Sequence, residues 1–367
     1  MTKHHAQNER IKRKYLSFLQ DNRGKSSSTV DQAAAAIAEF EKHTNFRDFK
    51  RFHIEQAKAF KTSLGKQLNR DTGKPLAHAT IYSRLMALKA FFHWLAGEQG
   101  YKSRISYSDS EYFNTSANDR RIAHASRQRP VPTIEQIRHA LFAMPTATEY
   151  QRRDQVVIAA TLLTGARDNA LASLSIKHLD FARREVFQDA REVRTKNAKT
   201  FTSNFFPVGD DVEAIVACWM DFLATEKLFG PADPAFPPTL IKRGATGLFE
   251  PVGLSRTHWK NAGAIRKIFK TAFENAGLPY FHPHSFRKTL VTLGLPMCQN
   301  NEEMKAWSQN LGHEKVETTL SSYGKVEPAR QSEIFAKMRK PASPEGSVDK
   351  ATLDAALALI VAQLAKK

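Results

Sequence analysis

The sequence predicts a mainly α-helical protein with one small antiparallel sheet, arranged as an all-helical N-terminal domain and a larger mixed domain. Three observations point there. A chain of 367 residues is long enough for two ordinary cores. Apolar residues recur at helical spacing through most of the first third. Charge also divides the chain, because residues 1–129 hold 24 Lys and Arg against 12 Asp and Glu, and the remainder 31 against 25.

From about residue 9 to 113 only helices are expected. Val30 to Glu41 is Ala-rich with Ile37 and Phe40 on one face, and Ile54 to Leu68 spaces Ile54, Ala57, Phe60 and Leu64 helically. Ala79 to Ala96 repeats the pattern until Gly97 and Gly100 stop it. Between them, Asn69 to Pro75 reads as a loop. Residues 115–132 are polar and basic (Arg120, Arg121, Arg127, Arg129) and read as a linker between domains at 1–114 and 133–340. Thr133 can cap a helix from Ile134, with Gln136 in the capping-box position.

The second domain begins with an apolar helix over Asp154–Leu163, a Thr164-Gly165-Ala166 turn and a short helix over Asn169–Leu174. Glu185–Phe187, Glu192–Thr195 and Asn204–Val208 read as strands of a small antiparallel sheet. Asp210–Phe229 reads as a helix, Gly230–Gly253 as a Pro- and Gly-rich loop, and helix returns after Trp259. A spacer and a small amphipathic helix over Val348–Ala365 occupy residues 341–367.

With 41% hydrophobic and 25% charged residues the chain is globular rather than disordered. Its net charge of +18 calls for a polyanion, nucleic acid before membrane. Cys218 and Cys298 cannot form a disulfide framework, which fits a reducing cytoplasm. Residues 1–10 hold no apolar signal core, and no run approaches a membrane span. Lys58, Lys61, Lys66, Arg70, Lys74, Arg84 and Lys89 would sit on outward faces, where their sum suggests a phosphate-facing surface rather than a merely solvated one.

Four separated pieces carry chemistry. Leu162 to Arg167 puts an arginine at a tight turn after an apolar helix. Arg194 to Thr200 is a basic turn with two lysines, Lys196 and Lys199. In His284-Ser285-Phe286-Arg287, Pro283 suits a first helical turn and the spacing of three puts His284 and Arg287 on one helix face. Leu311-Gly312-His313 is followed by Tyr323. Singly each piece is weak; the ordered set is specific. It resembles the tyrosine recombinase (phage integrase) family over roughly residues 10–340, although the N-terminal match rests on helical pattern alone.

The resemblance implies a SAM-like helical core-binding domain followed by a mixed α/β catalytic domain of the tyrosine recombinase type. It implies catalytic roles for Arg167, Lys196, His284, Arg287, His313 and Tyr323, the last as nucleophile. The physics is consistent with those roles. Two guanidiniums can hold the non-bridging oxygens of an attacked phosphodiester and stay charged. A tyrosine hydroxyl, ordinarily titrating at about 10, needs such a field or a base, and His284 is the candidate base. Lys196 would protonate the leaving 5′-oxygen, and His313 would hydrogen-bond the phosphate. A 3′-phosphotyrosyl link stores the bond energy, so no cofactor, metal or ATP is expected.

The sequence departs from the family pattern at Ala170, where an acidic residue is common; Asp168 is the nearby substitute. His313 and Tyr323 are ten positions apart, one more than usual. Lys199 competes with Lys196, which is preferred because it directly follows the first expected strand. His282 and His284 lack the companions of a zinc or two-metal site. His258-Trp259 precedes a basic helix with Lys260, Arg266, Lys267 and Lys270, read either as core packing with a solvated face or as a DNA-facing helix. Lys58, Lys61, Arg84, Lys89, Lys199, Lys260 and Lys267 are the DNA-contact candidates.

The expected partner is double-stranded DNA, clamped by both domains, with a homotetramer in the recombination synapse and a monomer off DNA, in the cytoplasm of a bacterial-type cell at the nucleoid. The tail helix packs either on its own domain or on a neighbouring protomer. Two alternatives stay open: supercoil relaxation by the same chemistry, as in type IB topoisomerases, and a DNA-binding protein that kept the fold and lost catalysis.

Overall fold

The computed structural model describes residues 4–69, 72–125, 130–244, 247–313, 331–333 and 335–336. Arg70, Arg127, Arg129, Tyr323 and the helix expected over 348–365 lie outside the described residues. The chain separates into two compact units, residues 1–127 and 128–367.

In the first unit, α1 (Ala6–Ser17), α2 (Ser27–His43), α3 (Ile54–Lys66) and α4 (His78–Ala96) enclose an aromatic core. Phe40, Phe60, Phe91, Phe92 and Phe113 are fully buried. Edge-to-face contacts join Phe40 to Phe60, Phe92 and Phe113, each pair adding about 0.5–1.5 kcal/mol beyond area burial. Buried Asn8 ties this core to the α2 end: it donates to Glu41 and to the Arg47 carbonyl and accepts from the Phe49 amide.

The segment read as an extended linker is partly helical. In α5 (Ala117–His124) the Ser116 hydroxyl accepts from the Asp119 amide at 3.0 Å, a cap that starts a helix in polar sequence. His124 meets the Tyr82 ring edge-on, which holds α5 to α4. A helix with no buried residue leaves no apolar stripe to read.

The second unit opens with α6 (Ile134–Phe142), capped by Thr133 and Gln136 as expected. Helix α7 (Glu149–Thr164) is buried over all its residues from Val156 onward and runs through the centre of the core. After α8 (Asp168–Leu171), a three-stranded antiparallel sheet orders as β1 (Leu179–Asp180), β2 (Glu185–Gln188) and β3 (Phe201–Asn204), with Val186 opposite Ser203. Residues 192–195 are not a strand. The Val193 amide bonds back to the Asp189 carbonyl at 2.7 Å, which makes a turn of the segment and leaves β3 to begin at Phe201, before the expected Asn204.

Beyond α9 (Asp210–Thr225), the region read as a loop contains a hairpin of β4 (Thr239–Arg243) and β5 (Phe249–Leu254). Pro251 and Gly253 lie within β5; both strands of a two-stranded ribbon are edges, where proline removes no ladder bond that must be made. Helices α10 (Gly263–Asn275), α11 (Pro283–Met297) and α12 (Asn301–Asn310) complete the unit. The last two cross at Gly294, where a Cβ would stand 2.3 Å from the Trp307 ring.

Candidate active site

The site grows around the end of α7. Gly165 caps that helix in the left-handed conformation (φ 60°), and its amide bonds to the Thr161 carbonyl at 3.1 Å. A Cβ there would meet Phe206 at 2.9 Å and Leu290 and Leu311 at 3.2 Å. The segment after β3, helix α11 and the turn after α12 therefore all converge on one glycine. Arg167 follows two residues later in extended backbone, just before α8.

Arg287 fastens these pieces together. It projects from α11, which starts with the His282 imidazole accepting the His284 amide and with Pro283 at the first helical turn. Its guanidinium is buried and donates one η-nitrogen to the Gly165 carbonyl and the other to the Leu311 carbonyl. The next turn holds Gly312 (φ 65°) and His313, whose amide bonds to the Ser308 carbonyl at 3.1 Å. Phe201, the first residue of β3, covers Gly312 so closely that a Cβ would lie 2.8 Å from its ring.

The basic turn is anchored at its base. Arg194 donates to the carbonyls of Ala172 and Trp259, and its amide bonds to the Ser173 hydroxyl. Lys196 stands exposed in a short 3₁₀ turn with Asn197 and Ala198 at positive φ, and has no hydrogen bond or ion pair among the described residues. Lys199 is half-buried beside Phe201, and its charge reaches His313. Arg167, His284, Arg287 and His313 are thus brought together, and the charge of Lys199 acts on His313.

The sequence profile of the Phage integrase family matches residues 133–330, more than half of the chain and the whole region just described. The chain belongs to the tyrosine recombinases. The curated relative Tyrosine recombinase XerC from Escherichia coli is 24% identical over 324 residues, covering 87% of this chain and 91% of its own. Among solved structures, a lambda integrase dimer bound to a COC′ core site matches 87% of this chain and 99% of that one with a TM-score of 0.58 at 12% identity. The Tn1549 transposon integrase in complex with transposon right end DNA matches 89% and 99% with a TM-score of 0.56 at 17% identity. The fold of this recombinase is therefore the integrase fold: a helical N-terminal domain and a catalytic domain with a small antiparallel sheet.

The electrostatics of the site are dominated by unneutralised positive charge. Burial, and then Arg167, pull Arg287 down to about 9, which leaves it cationic at neutral pH. Burial also lowers Arg167, whose guanidinium makes no hydrogen bond or ion pair among the described residues. The Nε of Arg287 is buried without a partner. Among the described residues neither arginine meets a carboxylate. Asp168, read as the substitute acid, accepts instead from Arg266 at 2.7 Å and from the Asn169 amide at 2.9 Å. Ala170 is buried.

Loss of water around the rings, followed by the charges of Arg287 and Arg167, pushes both His284 and His313 down to about 4. His284 keeps an exposed edge at the mouth of the pocket. Both imidazoles are neutral at physiological pH. The unfolded chain takes up protons at these rings as pH falls through the ordinary value of 6.5, whereas the folded chain waits until about 4. Their contribution to stability is therefore complete above 6.5 and is lost as pH falls towards 4. Thermal unfolding followed across that window should show a shallower pH dependence in His284→Gln and His313→Gln than in the parent; equal slopes would exclude the assignment.

Several DNA-contact candidates have partners within the protein. Lys58 pairs with Glu55 at 2.7 Å, Lys61 donates to the Asn114 carbonyl, Arg84 pairs with Glu39 and Lys89 with Glu111. Lys260 is exposed, and Lys267 lines an apolar cavity of about 670 Å³ with Met144, Trp259 and Ile268. Trp259 packs as a core residue, its indole N–H donating to the Phe236 carbonyl. The sequence marks Arg266 only as part of a basic helix, solvated or DNA-facing, and does not single out Tyr280; both lie beside Asp168, and no periodicity links positions so far apart. Among the described residues no cluster of three or more His, Cys, Asp or Glu could hold a metal, and no helix is long and apolar enough to cross a membrane.

Proposed function

We propose that the protein is a site-specific DNA recombinase that cleaves and rejoins strands through a 3′-phosphotyrosyl link to Tyr323. The observation that carries this reading is the pair of adjacent guanidiniums, one buried and one half-buried, with no carboxylate among the described residues to neutralise them. Such charge withdrawn from water is stabilised only by an anion, and a phosphodiester in transition to a pentavalent state is the anion the fold family handles.

In the proposed step the Tyr323 oxygen attacks phosphorus and the bond from phosphorus to the 5′-oxygen breaks. Arg167 and Arg287 hold the non-bridging oxygens, and His313 adds a hydrogen bond. The bound phosphate's negative charge raises the His284 imidazole towards a useful basicity, so that it takes the phenolic proton. Lys196, with Lys199 next to it, gives a proton to the leaving 5′-oxygen. Rejoining reverses the step on another strand, so the reaction needs neither metal nor ATP. Exchange between two duplexes requires four active sites, hence a tetramer on double-stranded DNA. On this reading residues 1–114 form the core-binding domain and 133–340 the catalytic domain.

One observation keeps a lapsed DNA-binding protein in view: Ala170 stands where an acid is common, and Asp168 is engaged elsewhere. A single assay separates the readings. Nicked DNA carrying a candidate site is incubated with the protein, and covalent adducts are resolved under denaturing conditions. The adduct is expected in the parent, lost in Tyr323→Phe and kept in Tyr280→Phe, since the resemblance puts the nucleophile at Tyr323. No adduct on a verified binding site sinks the enzyme; an adduct without two-site exchange favours relaxation.

A further inference from the structure

We propose that Asp168 and Arg266 form a second phosphate contact beside the reacting centre, with Arg266 binding the DNA backbone at a phosphate flanking the attacked one and Asp168 aiming it. The inference rests on the DNA-cleaving reading above and adds a positioning residue and a contact residue to it.

The geometry is asymmetric in a telling way. Asp168 is largely buried (15% exposed) and both its oxygens are committed, Oδ1 to the Asn169 amide at 2.9 Å and Oδ2 to Arg266 Nε at 2.7 Å. Arg266 is half exposed (51%), and only its Nε is engaged among the described residues, so both η-nitrogens remain able to donate. A side-on bond through Nε fixes the plane of the guanidinium while leaving its outer edge for a bidentate acceptor. The pair joins residues 98 positions apart, one partner half exposed and the other largely buried. Arg167 is the immediate neighbour of Asp168, and Tyr280 on the far side feels the charges of both partners. The charges that act on the nearby His284 ring are cationic, from Arg287, Arg167, His282 and Lys288. The Asp168 carboxylate, next to Arg167 in sequence, is thus turned towards Arg266 rather than towards the incoming anion. A backbone phosphate fits better than a base edge, because the neighbouring Arg167 already addresses the sugar-phosphate chain.

The signs of the effects make the proposal testable. If Asp168 were an ordinary surface acid, removing it would strengthen DNA binding by removing repulsion. If it aims Arg266, removing it weakens binding. The full-length protein is titrated with two unrelated mixed-sequence duplexes over a range of salt concentrations. Arg266→Ala is expected to weaken binding by the same factor on both duplexes and to flatten the slope of log K against log salt by about one. Asp168→Asn is expected to weaken binding several-fold, and this loss should vanish in an Arg266→Ala background. Arg266→Lys should keep the slope but lose its response to Asp168→Asn, and circular dichroism should show all variants folded. A parental slope in Arg266→Ala, a loss confined to one duplex, or tighter binding by Asp168→Asn overturns the contact. Failure of the parent protein to bind any duplex is a different outcome, and it overturns the DNA reading itself.

Discussion

Arg287→Ala is expected to abolish detectable strand cleavage and to lower the unfolding temperature at the same time. The guanidinium has two jobs that no smaller side chain can share. It donates to the buried carbonyls of Gly165 and Leu311, and leaving either acceptor unpaired costs about 1–3 kcal/mol. It also carries charge to the pocket, where losing one preorganised donor to a developing oxyanion slows the chemical step by roughly 10²–10³-fold. Arg287→Lys separates the two jobs. A single ammonium keeps a charge in the pocket but cannot span two carbonyls as a planar fork does, so some cleavage should return while stability stays low. Single-turnover adduct formation and thermal unfolding measure the two effects. Near-parental values of both in Arg287→Ala would refute the assignment.

Gly165→Ala should be among the most damaging single-methyl changes in the catalytic unit. The backbone sits at φ 60°, which costs a non-glycine residue about 1–2 kcal/mol. The added carbon would lie 2.9 Å from Phe206 and 3.2 Å from Leu290 and Leu311, an overpacking worth about 1–3 kcal/mol more. Together these predict a fall of roughly 5–15 °C in the unfolding midpoint. Gly277→Ala is the control, because its φ is also positive (71°) but nothing lies within 4 Å of the added carbon. It should lose only the backbone part. Equal losses in the two variants would mean that the convergence on Gly165 is looser than described.

The helices were legible in the sequence for a common reason: each is local. Apolar spacing marks α2, α3, α4 and α7, and Pro283 with His282 marks the start of α11. What failed was decided by tertiary or turn geometry. Val193 looked like a strand residue, but its amide returns to Asp189 and its side chain is buried as a plug. The β4–β5 hairpin was hidden by Pro251 and Gly253, which argue against a strand unless both partners are edges. The pair Asp168–Arg266 joins α8 to α10 without any periodic trace. The choice between Lys196 and Lys199 rested on strand ends, and those moved: β3 begins at Phe201, which draws Lys199 towards His313.

The double grip of Arg287 has a consequence for synthesis. The residues it joins are 165 and 311, so a ribosome must deliver nearly the entire catalytic unit before the guanidinium can find both oxygens. A polypeptide that ends before Leu311 lacks one of the two carbonyls that seat Arg287. On the proposed chemistry, a nascent chain is therefore harmless to the genome beside it, and competence to break a strand arrives only with the completed molecule.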